Sequence, residues 1–252
     1  METLVVKDEN LTSVISKASI KRLIRDVKDM KDISLKDSGI FYKHDDTDML
    51  KGYAMIVGPR DTIYHGGYYF FTFKFKTDYP NSPPTVVYET NNDSIRFHPN
   101  FYRNGKVCIS ILNTWNGEPW SSCQTIKSVV LTLCSVFNKD PLLNEPGITH
   151  LSDYIDIEYY NKIVKYANLK VAIIDVLTTN TFADWYSRFE RSINESFIEN
   201  KEEIIANYAS EFEMDVTFIT FEIYHMDCIK IDYVNLKQKL TLININDKNE
   251  TI

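Results

Sequence analysis

The run Tyr68-Tyr69-Phe70-Phe71-Thr72-Phe73-Lys74-Phe75-Lys76 constrains the fold of this chain more than any other. Tyr69, Phe71, Phe73 and Phe75 alternate with Phe70, Thr72, Lys74 and Lys76, the period of a strand whose successive side chains point to opposite faces. One face is wholly aromatic and has to pack against something large. Tyr79-Pro80-Asn81-Ser82-Pro83-Pro84 ends the strand, because proline cannot donate to a sheet ladder. Residues 39–42 and 52–57 are strand candidates upstream, separated by the acidic turn His44-Asp45-Asp46-Thr47-Asp48 and followed by the turn Gly58-Pro59-Arg60-Asp61. Residues 85–89 make a fourth. Four strands on short connections predict an α+β fold: an antiparallel meander sheet covered on one face by helices.

Helical spacing flanks this block. In residues 16–32, Ile20, Leu23, Ile24 and Val27 fall at i, i+3, i+4 and i+7, one apolar stripe. Lys17, Lys21, Arg22, Arg25 and Lys28 lie mainly off it, as a solvated basic face. Residues 124–137 read as a buried helix with Ile126, Val129, Val130, Leu133 and Phe137 inward and Cys134 beside them; residues 156–177 read as another. Residues 182–198, 201–211 and 233–242 are shorter helical pieces, while residues 216–224 have the β-branched and aromatic content of a strand. Residues 90–121 show little period. So long an irregular segment is functional or disordered, and Phe97, Phe101, Trp115 and Trp120 argue against disorder.

A length of 252 residues allows one large domain, or a domain with an appendage. The formal charge of −7 argues against general nucleic-acid binding. The N-terminus has no basic stretch leading into an apolar run, and no segment has the length of a membrane span, so neither export nor a membrane is expected. Cys108, Cys123, Cys134 and Cys228 fit no zinc-ligand spacing. Free thiols in the cytoplasm or nucleus are expected, and no metal.

Chemistry concentrates in His98-Pro99-Asn100 and in Cys108, ten residues after the histidine, within Asn104-Gly105-Lys106-Val107-Cys108-Ile109-Ser110. A thiolate able to carry an acyl group, near an amide N–H able to face the oxyanion, is what acyl-thioester transfer needs. The alternatives are a buried structural cysteine after a glycine turn, and an asparagine that closes the loop on backbone groups. A cysteine hydrolase would need a histidine base. His98 sits in a Pro-Asn turn, and His44, His65, His150 and His225 have no recognisable partner pattern.

Ile20-Lys21-Arg22-Leu23, Tyr64-His65-Gly66-Gly67, Thr77-Asp78-Tyr79-Pro80 with Pro83-Pro84, His98-Pro99-Asn100, Cys108 and Trp120 follow one another as they do in ubiquitin-conjugating enzymes. The chain resembles that family from about Ile20 to about Leu177. Asn100-Phe101-Tyr102-Arg103, the insertion Asn113-Thr114-Trp115-Asn116-Gly117-Glu118-Pro119, and Asn144-Glu145-Pro146-Gly147 resemble the large Z-type class, which carries a helical C-terminal extension. The resemblance implies an N-terminal arm (residues 1–15), a ubiquitin-conjugating core (16–180) and a mainly helical extension (181–252).

It also implies site roles. Cys108 would be the nucleophile, expected to be partly exposed, and Asn100 the oxyanion donor. Glu145, or its neighbour Asn144, would be a polar gate for an incoming lysine, while His98, Pro99 and Trp120 would support the site. Lys21, Arg22 and Arg25 would dock an activating enzyme, turning the basic face into an acidic-partner site. The other implied partners are ubiquitin or a ubiquitin-like protein, and a ligase or substrate protein. The protein is expected to be a monomer that binds no cofactor directly, ATP being used by the activating enzyme. Asn81 and Ser121-Ser122 stand where members using RING ligases carry apolar and Ser-Pro anchors, which argues against the usual RING mode. The rival within the same fold is a non-catalytic ubiquitin-binding scaffold.

Overall fold

The computed structural model describes residues 5–6, 13–92, 94–150 and 152–245. Of the expected N-terminal arm, residues 1–4 and 7–12 lie outside the described residues; Val5–Val6 (β1) pairs antiparallel with Ser13–Val14 (β2). The chain forms two compact units, neither a single continuous stretch. One comprises the described residues up to Ile56 with Phe70–Glu89 and Asn100–Phe137; the other comprises Val57–Tyr69, Thr90–Pro99 and the described residues from Asn138 onward.

In the first unit, Lys17–Asp29 (α1) starts at Ser16, whose hydroxyl accepts the N–H of Ser19 at 3.0 Å. The expected stripe is shifted. Ile24 is 56 % exposed, and the buried face carries Ser19, Leu23 and Asp26. Asp26 can be buried because its carboxylate is satisfied: Arg22 Nε donates at 2.8 Å and Tyr79 Oη at 2.5 Å. Arg22 continues inward to the carbonyls of Ser122 (2.6 Å) and Gln124. It therefore does not belong to the solvated basic face.

Ile33–Asp37 (α2) leads into the sheet of Ile40–His44 (β3), Lys51–Val57 (β4), Tyr68–Lys74 (β5) and Thr85–Tyr88 (β6). Its order is β3-β4-β5-β6, an antiparallel meander as expected, with Ile40 opposite Ile56 and Phe71 opposite Tyr88. Every residue of β5 from Tyr68 to Phe73 is buried, so both faces of this strand are covered rather than one. Phe71 packs on Tyr88 (5.5 Å between centroids) and Phe101 (5.4 Å). Ile126–Val136 (α3) begins at a capping box of Thr125 and Ser128 and buries Ile126, Val129, Val130 and Leu133.

In the second unit, Tyr154–Ala167 (α4) runs through a π-helical stretch, Asn168–Asp175, into Val176–Thr178 (α5), starting two residues before the expected helix. Residues 182–198 and 201–211 are not separate pieces. They form one helix, Ala183–Asn207 (α6), kinked at Phe189 (φ −117°, ψ 16°). Thr217–Phe221 (β7) pairs with Met226–Ile231 (β8) in a hairpin the sequence only half suggests, and Tyr233–Leu242 (α7) follows. The C-terminal region is thus mainly helical around one hairpin.

Asn168 is fully buried at the start of the π stretch. Its Oδ1 accepts Tyr69 Oη at 2.5 Å, and its Nδ2 donates to the His65 carbonyl (3.0 Å) and to Tyr208 Oη (3.1 Å). A Cβ on Gly67 would lie 2.0 Å from Asn168 Oδ1, which is why the Tyr64-His65-Gly66-Gly67 turn needs glycine there.

Candidate active site

Asn100 and Cys108 face each other across a short loop. The N–H of Cys108 donates to the Asn100 carbonyl at 2.8 Å, and Asn100 Nδ2 donates to the Cys108 carbonyl at 2.6 Å. Between them the chain reverses at Asn104-Gly105, with Gly105 at φ +84°. A Cβ there would meet Val87 Cγ1 at 2.7 Å and the Tyr88 carbonyl at 3.1 Å; the Gly105 carbonyl in turn accepts the Tyr88 N–H at 2.8 Å. Glycine at 105 thus lets the loop lie against β6, and that packing sets the distance between amide and cysteine.

The expected exposure of Cys108 is not found: the residue is 2 % exposed, between Val107 (2 %) and Ile109 (4 %). The inserted loop contributes a clamp here that sequence reasoning missed. Thr114 Oγ1 lies 2.8 Å from the Val107 carbonyl and 3.1 Å from the Ile109 carbonyl, and accepts the Ile109 N–H at 3.0 Å. One hydroxyl thus grips the backbone on both sides of Cys108, its single hydrogen serving one carbonyl at a time. Farther along the loop, Asn113 Oδ1 accepts the Trp120 N–H at 2.7 Å, while Trp120 Nε1 donates to the Pro80 carbonyl at 2.7 Å. Residues 113–119 between these anchors are exposed. An open groove of about 560 Å³ borders the clamp, with Lys76, Lys106, Val107 and Thr114 in its wall; Cys108 does not line it. No sequence signal separates Thr114 from any other loop threonine, because its role exists only once the loop has folded back.

In the second unit, His98 is fully buried and 3.3 Å from Asn144 Nδ2. With the amide nitrogen donating, His98 Nε2 is the acceptor of this bond and is engaged. Arg96 donates through Nη2 to the Pro99 carbonyl. Glu145 caps the turn Pro141–Asn144 and accepts Tyr224 Oη on Oε2 at 2.6 Å. Burial is the largest influence holding the Tyr224 phenol protonated, joined by Tyr160 and Glu145. On α1, Lys21 and Arg25 are exposed, whereas Arg22 is committed inward. Asn81, Ser121 and Ser122 are exposed polar residues. Cys123 and Cys228 are exposed, Cys134 is half-buried, and all four cysteines are free. Among the described residues no group of side chains is arranged to hold a metal ion, and no helix is long and apolar enough to cross a membrane.

A meander sheet, a His-Pro-Asn segment and a cysteine bracketed by its asparagine define a class, and comparison with known proteins agrees. The family model "Ubiquitin-conjugating enzyme" matches residues 22–167, and the chain belongs to that family. Within it, the chain resembles the Z type. It is 44 % identical over 140 residues to ubiquitin-conjugating enzyme E2 Z of Homo sapiens, covering 55 % of this chain and 40 % of that protein. It is 41 % identical over 163 residues to E2 Z of Danio rerio, covering 64 % of this chain and 50 % of that protein. It is also 30 % identical over 187 residues to a probable ubiquitin-conjugating enzyme of Acanthamoeba polyphaga mimivirus, covering 69 % of this chain and 13 % of that protein. The chain spans 39 % to 50 % of the E2 Z proteins it matches.

Proposed function

We propose that this chain accepts ubiquitin or a ubiquitin-like protein from an activating enzyme as a thioester on Cys108 and passes it to a lysine amine or a ligase. The pair of hydrogen bonds by which Asn100 closes its loop on the Cys108 backbone, keeping amide and cysteine side by side, carries the reading; an oxyanion would take the second Nδ2 hydrogen. In the first step the Cys108 thiolate attacks the thioester carbonyl on the activating enzyme; a C–S bond forms to Cys108 and the other thiolate leaves. In the second, an amine attacks, a C–N bond forms, Cys108 leaves as thiolate and the ammonium proton passes to a base. Negative charge that develops on the carbonyl oxygen as the amine attacks calls for a fixed donor, the role proposed for Asn100. Glu145 is the proposed gate for the amine and a candidate for its proton. Cys108 is 2 % exposed, so the packing around it has to open before either attack.

Docking of the activating enzyme is proposed on exposed Lys21 and Arg25, with Arg22 holding α1 in place rather than meeting the partner. Exposed Asn81, Ser121 and Ser122 offer little apolar anchor for a RING domain; weak or absent stimulation of lysine discharge by common RING domains is expected, and robust stimulation would refute it. Incubation with activating enzyme, ATP and ubiquitin should give a thiol-sensitive adduct, lost in Cys108→Ala and converted to a thiol-resistant ester in Cys108→Ser. Absence of the adduct, or its persistence in Cys108→Ala, overturns the reading. The burial of Cys108 favours one alternative, a scaffold of the same fold that binds ubiquitin without ever being charged. It predicts ubiquitin binding unaffected by Cys108→Ala and no adduct.

A further inference from the structure

We propose that Tyr224 is a positioning residue of the reaction, through which the C-terminal hairpin holds Glu145 and the segment leading to Asn100. It stands on the short turn Glu222–Tyr224 between β7 and β8 and is 6 % exposed. Its hydroxyl donates to Glu145 Oε2 at 2.6 Å, a charge-assisted bond that fixes where that carboxylate points. Its ring carries a second load: the Arg96 guanidinium lies 4.4 Å from the ring centroid, within cation–π range. The same guanidinium donates to the carbonyl of Pro99, the residue peptide-bonded to Asn100. Tyr160, on α4, closes the arrangement. Its hydroxyl donates to the Arg96 carbonyl at 2.9 Å, and its ring packs on Tyr224 (5.6 Å) and Phe221 (5.4 Å). One tyrosine from the extension thus restrains two side chains of the core, and the extension acts as part of the machinery rather than as an appendage.

The proposal rests on the roles read above for Glu145 and Asn100. It is tested by single-turnover discharge of the ubiquitin-loaded full chain to free lysine, in wild type, Tyr224→Phe, Tyr224→Leu, Glu145→Ala and the Tyr224→Phe/Glu145→Ala pair. Charging should stay within about twofold of wild type in Tyr224→Phe. Tyr224→Phe, which keeps the ring, should slow discharge about tenfold, the size of one charge-assisted hydrogen bond; Tyr224→Leu, which also removes the ring from Arg96, should slow it further. On the Glu145→Ala background Tyr224→Phe should add nothing, because the group it acts through is gone. Wild-type discharge by Tyr224→Phe, equal slowing on both backgrounds, or charging impaired as much as discharge would each overturn the proposal. If wild type never charges, the activity reading fails separately. Hydrogen exchange then decides the positioning: the amides of residues 96–98, 100–101 and 144–145 should exchange faster in Tyr224→Phe but not in Phe218→Ser, a change at a site 63 % exposed on the same hairpin. Unchanged exchange in Tyr224→Phe overturns it.

Discussion

Cys108 is fixed by Asn100, eight positions upstream, and by Thr114, six positions downstream. Glu145 is held by Tyr224, 79 positions away. The first arrangement is a loop folding on itself, and its geometry travels with the motif. The second forms only after the hairpin has docked on α4. A short-range cradle suits the chemistry shared by a family, because it tolerates changes elsewhere in the chain. A long-range tether makes the proposed amine gate answerable to the extension, and on that proposal perturbing the hairpin should alter lysine discharge and leave thioester formation intact.

The sharpest way to break this contrast is to damage the cradle. Asn100→Ala removes the amide on the Cys108 carbonyl and should slow lysine discharge about 100- to 1,000-fold. The ratio of the two steps identifies the role. Discharge slowed with charging preserved marks an oxyanion donor; both steps slowed together mark a loop brace. Damage to the long-range side should show first as lost stability. Asn168→Leu leaves Tyr69 Oη, the His65 carbonyl and Tyr208 Oη without the partner they share. Stranding buried polar groups costs about 1–3 kcal/mol each, and Tyr208 Oη retains the Lys165 carbonyl at 3.0 Å. A loss of about 2–4 kcal/mol in denaturant unfolding is expected, and a loss under 1 kcal/mol would show that the hub is dispensable.

Thr114→Val gives a smaller effect in the cradle. It keeps the shape of the side chain and deletes the hydroxyl, and one hydrogen bond is worth about 1 kcal/mol, roughly a fivefold change in an opening equilibrium. Alkylation of Cys108 by a small reagent should therefore quicken about fivefold, measured in a Cys123→Ala/Cys228→Ala background because those thiols are exposed. An unchanged rate would mean that the clamp does not govern access to the thiol.

What the sequence reveals follows the same division. The meander was legible because alternating aromatics and proline breaks are local signals, and His98-Pro99-Asn100 with Cys108 because the spacing is short. The inward turn of Arg22 was not legible: its cause is Asp26 buried against Tyr79, 53 positions further on. A basic residue beside an apolar stripe looks solvated until that partner is known. The long α6 read as two pieces split at residues 199–200, although its one kink, at Phe189, lies inside the first of them. β8 escaped because Met226-Asp227-Cys228-Ile229-Lys230-Ile231 is strand-like only opposite β7. The Thr114 clamp was invisible because its contacts to Val107 and Ile109 exist only once the loop has folded back.

The smallest expected effect lies on the long-range side and is read by pH. His65 is buried in the turn that Asn168 supports, and Glu203 of α6 lies 3.6 Å from its Nε2 and 3.0 Å from Arg60. Burial lowers the His65 pKa below its usual 6.5; Glu203 and Asp61 oppose the shift and Arg60 adds to it. The folded chain therefore excludes a proton that the unfolded chain takes up. The stability that follows is fully present above about pH 6.5 and is lost as pH falls through the lower folded value. His44, also lowered by burial, has the same sign in the other unit. Unfolding free energy should decline gently below pH 6.5. His65→Gln should flatten only part of that decline, leaving the share due to His44. A decline that His65→Gln leaves untouched would mean that the turn beneath α6 is insensitive to acid.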